Sequence, residues 1–192
     1  MIKGLVPVPD GWLSQPYRAT HKAIDIGWID KAYCDVRAWN DGEVIANGKD
    51  DAGANFVVLR HDNGQWSGYW HLRDKALPAV GSYVKRGEKI GVRGKTGKAT
   101  GVHLHFILTP PLVRTTYNYT ALISSGIDPV PWLYRLPGDK IEDMEIPLYE
   151  DPDAVTLDEV TEGVQAMVTA LYDSIGYTVT RCEIETERKN EK

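Results

Sequence analysis

The stretch Val102-His103-Leu104-His105-Phe106-Ile107-Leu108 reads as a β-strand. Side chains of a strand alternate between its two faces, so Leu104, Phe106 and Leu108 share an apolar face and His103 and His105 share the other. A polar site then lies directly against a hydrophobic core. An unpaired polar ring in an apolar setting costs about 1–3 kcal/mol, so the two imidazoles need partners, which either a metal ion or a hydrogen-bonded network supplies.

Working outward from this strand, two further histidines stand in comparable settings. His21-Lys22-Ala23-Ile24-Asp25 spaces an imidazole and a carboxylate by four residues. On a strand this points both the same way and leaves Ile24 and Ile26 for the opposite, buried side. In Tyr69-Trp70-His71-Leu72 the histidine sits on a strand, residues 65–72, that returns from the turn Asp62-Asn63-Gly64. His61, just before that turn, reads as a hairpin or surface residue. Trp66, Trp70 and Tyr83 are rings that either line a peptide groove or pack in the core.

The rest of the first 135 or so residues continues in short apolar runs bounded by glycine, proline or Thr-Gly. Among them are Gly42–Ala46, Asn55–His61, Val80–Val84 and Lys89–Val92. Such spacing predicts a mainly β fold with an antiparallel sheet and no long helix before Asp139. Beyond that point the pattern changes. Leu157, Val160, Val164, Met167, Val168, Leu171, Tyr172 and Ile175 follow helical spacing, and residues 177–187 alternate as a strand would. Fifteen of the 27 acidic residues but only five of the 22 basic ones lie from Asp139 onward, which leaves a mildly basic body of balance +5 and a tail of balance -10. The expected organisation is a β-rich domain over residues 1–138 and an acidic helix–strand appendage over 139–192 that docks or self-associates through 157–175.

Taken together, these stretches resemble the lysostaphin-type, LytM-like zinc metalloendopeptidases that cut peptidoglycan peptides. The resemblance is carried by Thr20-His21-Lys22-Ala23-Ile24-Asp25-Ile26-Gly27, Asp41-Gly42-Glu43-Val44, Asn55-Phe56-Val57-Val58-Leu59 and Tyr69-Trp70-His71-Leu72. It continues through Val84–Gly91, Gly94-Lys95-Thr96-Gly97 and Thr100–Phe106 to Asp128-Pro129. Order and approximate spacing agree over residues 17–133. The resemblance implies an antiparallel metallopeptidase fold, one zinc ion held by His21, Asp25 and His105, and His71 and His103 as the two catalytic histidines. It also places Asn55 near the substrate groove, where a plain turn residue is the other reading. Two imidazoles and one carboxylate with an open fourth position is the ligand set of a catalytic rather than a structural zinc site. The chain departs from the family at Tyr33-Cys34-Asp35-Val36-Arg37-Ala38, where relatives commonly carry a Gly-Thr-Pro-Val-like strand entry. That changes a sheet edge and leaves the five histidine and aspartate positions intact, which argues against the family's inactive scaffold members.

The implied activity is hydrolysis of peptide bonds in bacterial peptidoglycan stems or cross-bridges. The alternatives are a zinc-bound, non-catalytic wall-binding or regulatory module and a peptidase carried as part of a phage particle. No apolar run approaches the roughly 18 residues of a membrane span, and no signal-peptide core forms around Met1–Pro9, so action at the cell wall implies phage-type release or prior removal of a leader. Cys34 and Cys182 are too few and too far apart for a dense disulfide framework and read as two free thiols, a single disulfide being the other reading. No basic helix, zinc-finger spacing or phosphate-cradling glycine loop is present, so no nucleic-acid partner is expected.

Overall fold

The computed structural model describes residues 1–27, 33–114, 116–142 and 144–148. The chain divides into a unit of residues 1–149 and a second of residues 150–192. The helix expected over 157–175, the strand over 177–187 and Cys182 lie outside the described residues.

The larger unit is mainly β, as the turn-bounded apolar runs predict. Its strands are β1 (Gly4–Leu5), β2 (Asp10–Gln15), β3 (Ile24–Ile26), β4 (Asp35–Arg37), β5 (Gly42–Lys49), β6 (Asn55–Arg60), β7 (Trp66–Leu72), β8 (Tyr83–Val84), β9 (Lys89–Val92), β10 (Leu104–Leu108), β11 (Leu133–Tyr134) and β12 (Lys140–Glu142). Eight of them form one sheet in the order β12-β2-β3-β10-β7-β6-β5-β8. All neighbours in it are antiparallel except β12 and β2, which run parallel. Two-stranded pairs β1–β11 and β4–β9 complete the described strands.

Alternation along the central strands buries apolar side chains on both faces. Ile24, Ile26, Val57, Leu59, Tyr69, Leu104, Phe106 and Leu108 join Trp39 in the larger core. Phe56, Val58, Trp66, Trp70 and Ile107 form a smaller one on the other face. Among the described residues one short α-helix, α1 (Tyr119–Ser124), drops Leu122 onto the smaller core. Asn118 caps it, its Oδ1 accepting from the Ala121 N–H at 2.8 Å, which satisfies one of the donors a helix start leaves free.

The N-terminal segment is laced to residues 133–148. Val6 N–H donates to the Tyr134 carbonyl at 2.7 Å, β12 lies beside β2, Arg37 pairs with Asp139 inside the fold, and Ile146 is buried. The compact unit therefore runs past the charge break at Asp139. Arg93, fully buried, donates to the carbonyls of Asp10 and Gly27 and meets the Asp10 carboxylate at 3.4 Å, tying β2 to the end of β3.

His61 is a correction to the sequence reading. It is 2 % exposed, its Nδ1–H donating to the Asp41 carbonyl at 2.7 Å while Nε2 meets the Ser67 hydroxyl at 2.8 Å. The Asp-Asn-Gly turn that follows it is at the surface. The histidine itself lies inward, edge-on to Trp39 with ring centroids 4.8 Å apart.

Candidate metal centre

Three neighbouring strands near the middle of the sheet build the site. Asp25 on β3 stands directly opposite His105 on β10, and His105 stands opposite Trp70 on β7. His105 and Ile107 share one face of β10, so the polar site opens on the face that carries the smaller core, with Leu104, Phe106 and Leu108 buried behind it. His21 precedes β3 and is placed by a backbone bridge to Arg18. His103 lies just before β10, bridged to Gly94, so the strand is shorter at that end than its alternation suggests.

His21 Nε2, Asp25 Oδ1 and His105 Nδ1 form a small triangle. Its edges are 3.2 Å between the two imidazole nitrogens, 3.2 Å from His21 to Asp25 and 2.8 Å from His105 to Asp25. Among the described residues this is the one group of three or more His, Cys, Asp or Glu donors placed to share a metal ion. Ligand bonds of about 2.0–2.1 Å in tetrahedral geometry separate neighbouring ligand atoms by about 3.3 Å, so the triangle matches one face of a zinc tetrahedron. Burial alone raises the pKa of the Asp25 carboxyl. The hydrogen bond and charge of His105, with the charges of His103 and His21, outweigh that effect and hold it below the ordinary carboxylate range, so the donor is anionic.

His71 and His103 stand beside the triangle. Their ring centroids are 4.7 Å apart, and those of His71 and His105 are 5.9 Å apart. His103 Nε2 lies 3.8 Å from Asp25 Oδ2. Each ring is held by a backbone carbonyl, which only accepts: His71 Nδ1–H donates to Thr96 at 2.8 Å and His103 Nδ1–H donates to Gly101 at 3.0 Å. In its neutral form each ring therefore keeps a bare Nε2. Desolvation, reinforced by the neighbouring imidazoles, lowers the pKa of His71 and favours that neutral form.

His71 does not sit on a regular strand. Phe56 pairs with Trp70 and Asn55 pairs with Leu72, so His71 is an extra residue opposite no partner, a β-bulge with φ of 65°. Among the described residues it is the one non-glycine with positive φ, a conformation costing about 1–3 kcal/mol. The bulge shifts the phase of the strand: Tyr69 and Leu72 bury in the larger core and Trp70 in the smaller one. Under strict alternation His71 would share the core face of Tyr69. The bulge releases it to the side of His21, Asp25 and His105.

Two clefts flank the five residues. One, of about 320 Å³, lies against Asp25 and His103 and is walled by Trp12, Ser14, Gln15 and Val102. The other, of about 170 Å³, lies against His71 and His105 and is walled by Asp50, Trp70, Lys98, Tyr119 and Ile123. Of the three rings read as lining a groove or packing in the core, Trp70 edges this second cleft, Trp66 is fully buried, and the Tyr83 hydroxyl donates to Asp62. Asn55 is buried, with Nδ2 donating to the carbonyls of Leu72 and Arg73 at 3.2 Å each. The Cys34 thiol is pushed up to about 12 by burial and by its hydrogen bond to Asp10, and it is not among the metal-site donors. The carbonyls of Thr96 and Gly101 escaped the sequence reading because a backbone acceptor has no residue signature.

The profile of Peptidase family M23 matches residues 19–114, which include all five site residues. Peptidoglycan DD-endopeptidase ShyB of Vibrio cholerae is 40% identical over 91 residues, 47% of this chain and 20% of that protein. The chain thus spans about one fifth of the length of the curated relatives ShyB and ShyA. Among solved structures, a putative M23 peptidase from Pseudomonas aeruginosa superposes with a TM-score of 0.55 at 28% identity, covering 69% of this chain and 51% of that one. Lysostaphin from Staphylococcus simulans superposes at 0.54 and 24% identity over 80% of this chain and 61% of its own, a likeness of fold. With half its length matched by the family profile, the chain belongs to Peptidase family M23.

Proposed function

We propose that this protein is a zinc-dependent endopeptidase that hydrolyses peptide bonds of bacterial peptidoglycan stems or cross-bridges. His21, Asp25 and His105 hold the metal, and His71 and His103 are the catalytic histidines. The observation that carries the reading is the triangle of His21 Nε2, Asp25 Oδ1 and His105 Nδ1, sized for zinc, with two bare imidazole nitrogens beside it. Zinc in such a site acts as a Lewis acid, acidifying water and polarising a carbonyl.

The chain's own groups supply the rest. A bare Nε2 on a neutral ring accepts a proton from the attacking water, and the resulting imidazolium returns it to the leaving amine. The second ring, once it carries a proton on Nε2, donates a hydrogen bond to the developing oxyanion. The clefts on both sides of the pair give an extended peptide room on either side of the scissile bond, which favours internal cleavage over trimming of an end. The peptidoglycan substrate is supported by the curated relatives named as DD-endopeptidases.

The test is metal content by elemental analysis, paired with release of soluble fragments from purified peptidoglycan. About one zinc per chain is expected. His105→Ala is expected to lose both zinc and cleavage, and His71→Ala to keep zinc while losing cleavage by about two orders of magnitude or more. Zinc bound without cleavage of any wall preparation would make the chain a binding module, and no zinc would overturn the ligand assignment.

A further inference from the structure

We infer that Thr96 and Asn55 are positioning residues that hold His71 in its bulged conformation and fix which of its ring nitrogens carries the proton. The inference rests on the catalytic reading of His71 given above, and it concerns two residues that touch no metal ligand directly.

The bulge at His71 displaces the ladder between Asn55 and Leu72, the pair that closes β6 against β7. The Thr96 hydroxyl sits at that place. It accepts from the Asn55 N–H at 2.9 Å and donates to the Leu72 carbonyl at 2.7 Å, so one hydroxyl bridges both strands where the extra residue has opened them. The Asn55 amide adds two donors to the same turn of chain, one each to the Leu72 and Arg73 carbonyls. The carbonyl of Thr96 takes the His71 Nδ1–H at 2.8 Å. One residue thereby stitches the bulge with its side chain and orients the bulged imidazole with its backbone.

The segment that carries Thr96 is itself anchored to the site. Gly94 accepts from the His103 N–H at 3.1 Å, and a Cβ added at Gly94 would lie 2.8 Å from the His71 carbonyl oxygen. Thr96, His71 and His103 are therefore referred to one short stretch of backbone. A hydroxyl at position 96 is needed because the bridge requires an acceptor and a donor on one atom, which Ser also offers and Val, of the same shape, does not. Asn55 is needed as a donor because both groups it meets are carbonyls.

The test uses the full chain loaded with zinc and a soluble cross-linked peptidoglycan peptide as substrate, comparing wild type, Thr96→Val, Thr96→Ser and Asn55→Asp. Thr96→Val is expected to lower kcat by about ten- to a hundredfold with KM changed by less than about threefold, since misplacement of a catalytic group acts on the chemical step. Metal content is expected to stay at the wild-type level, and Thr96→Ser to recover most of the loss. Nitrogen-15 spectra of the side chains give a readout independent of turnover. Wild type and Thr96→Ser are expected to show His71 as the Nδ1–H tautomer, and Thr96→Val a mixture of tautomers. Asn55→Asp, which removes the donor facing two carbonyls, is expected to follow Thr96→Val, and it decides the matter should Thr96→Val not fold. Wild-type kcat and an unchanged tautomer in both Thr96→Val and Asn55→Asp would overturn the inference, as would a Thr96→Ser protein that folds yet is as slow as Thr96→Val. If wild type cleaves no peptide, the catalytic reading fails, while the tautomer spectra still decide whether these residues hold the ring.

Discussion

A buried histidine away from the candidate metal centre gives the molecule a sensitivity to acid. Burial lowers the pKa of His61 to about 4 from the ordinary 6.5, against the smaller opposing effects of its bond to Asp41 and the charges of Asp62 and Asp41. The unfolded chain binds this proton more readily, so the contribution to stability is complete above pH 6.5, falls as pH drops toward 4, and levels off below. A shift of that size amounts to about 3 kcal/mol. Urea unfolding from pH 7 to 4 is expected to show this loss in wild type and a flatter dependence in His61→Gln, the comparison removing the part due to carboxylates. The sequence did not show this burial, because a histidine next to Asp-Asn-Gly carries the local marks of a turn. The Asp41 carbonyl and Ser67 hydroxyl that satisfy its ring come from positions 20 and 6 residues away. By contrast, Ile24, Ile26, Leu104 and Phe106 are buried as their alternation requires, because that rule involves one strand alone.

At the level of elements, the site depends on a strand that breaks its own period. Read as a regular strand, Tyr69-Trp70-His71-Leu72 sends His71 to the wrong face, and only its register against β6 reveals the extra residue. Register is a relation between two segments, so neither segment's composition encodes it. The resemblance named His71 from motif order, and the bulge supplies the physical reason that this position reaches the side of His21, Asp25 and His105. The same junction demands Gly94, where any Cβ would run into the backbone of Arg73 and His71. Gly94→Ala is expected to lower stability by about 1–3 kcal/mol, the usual range for forced overpacking, and to slow cleavage more than the lost folded fraction explains. Chemical denaturation together with kcat measured on the folded protein would check both parts. Native stability with native kcat would mean that this stretch of backbone is not the rigid reference for the two histidines.

For the whole molecule, the charge break at Asp139 was the most legible boundary in the sequence, yet the strands and contacts of the larger unit continue beyond it. β12 is three residues long, too short for any periodicity, and Ile146 is one of a few apolar residues scattered without period through an acidic stretch. Their roles follow from what lies opposite them. A chain ending at residue 138 would lose β12, Ile146 and the carboxylate that pairs with the nearly buried Arg37. It is expected to be less stable than a chain ending at residue 149 by about 3 kcal/mol or more, as when one partner of a buried ion pair is removed. Thermal unfolding of the two chains would check this, and equal melting temperatures would refute it. The lacing of the N-terminal strands to residues 133–148 also bears on how the protein is born. On the ribosome β1 emerges before the other described strands, and the strand it pairs with, β11, follows more than a hundred residues later. The hairpins β5–β6 and β6–β7 between them assemble with near neighbours, whereas the terminal seam must close late, since distant contacts carry the larger loop-closure cost. A nascent chain stalled before Leu133 therefore holds all five site residues in hand while β1 still lacks β11 and β2 still lacks β12.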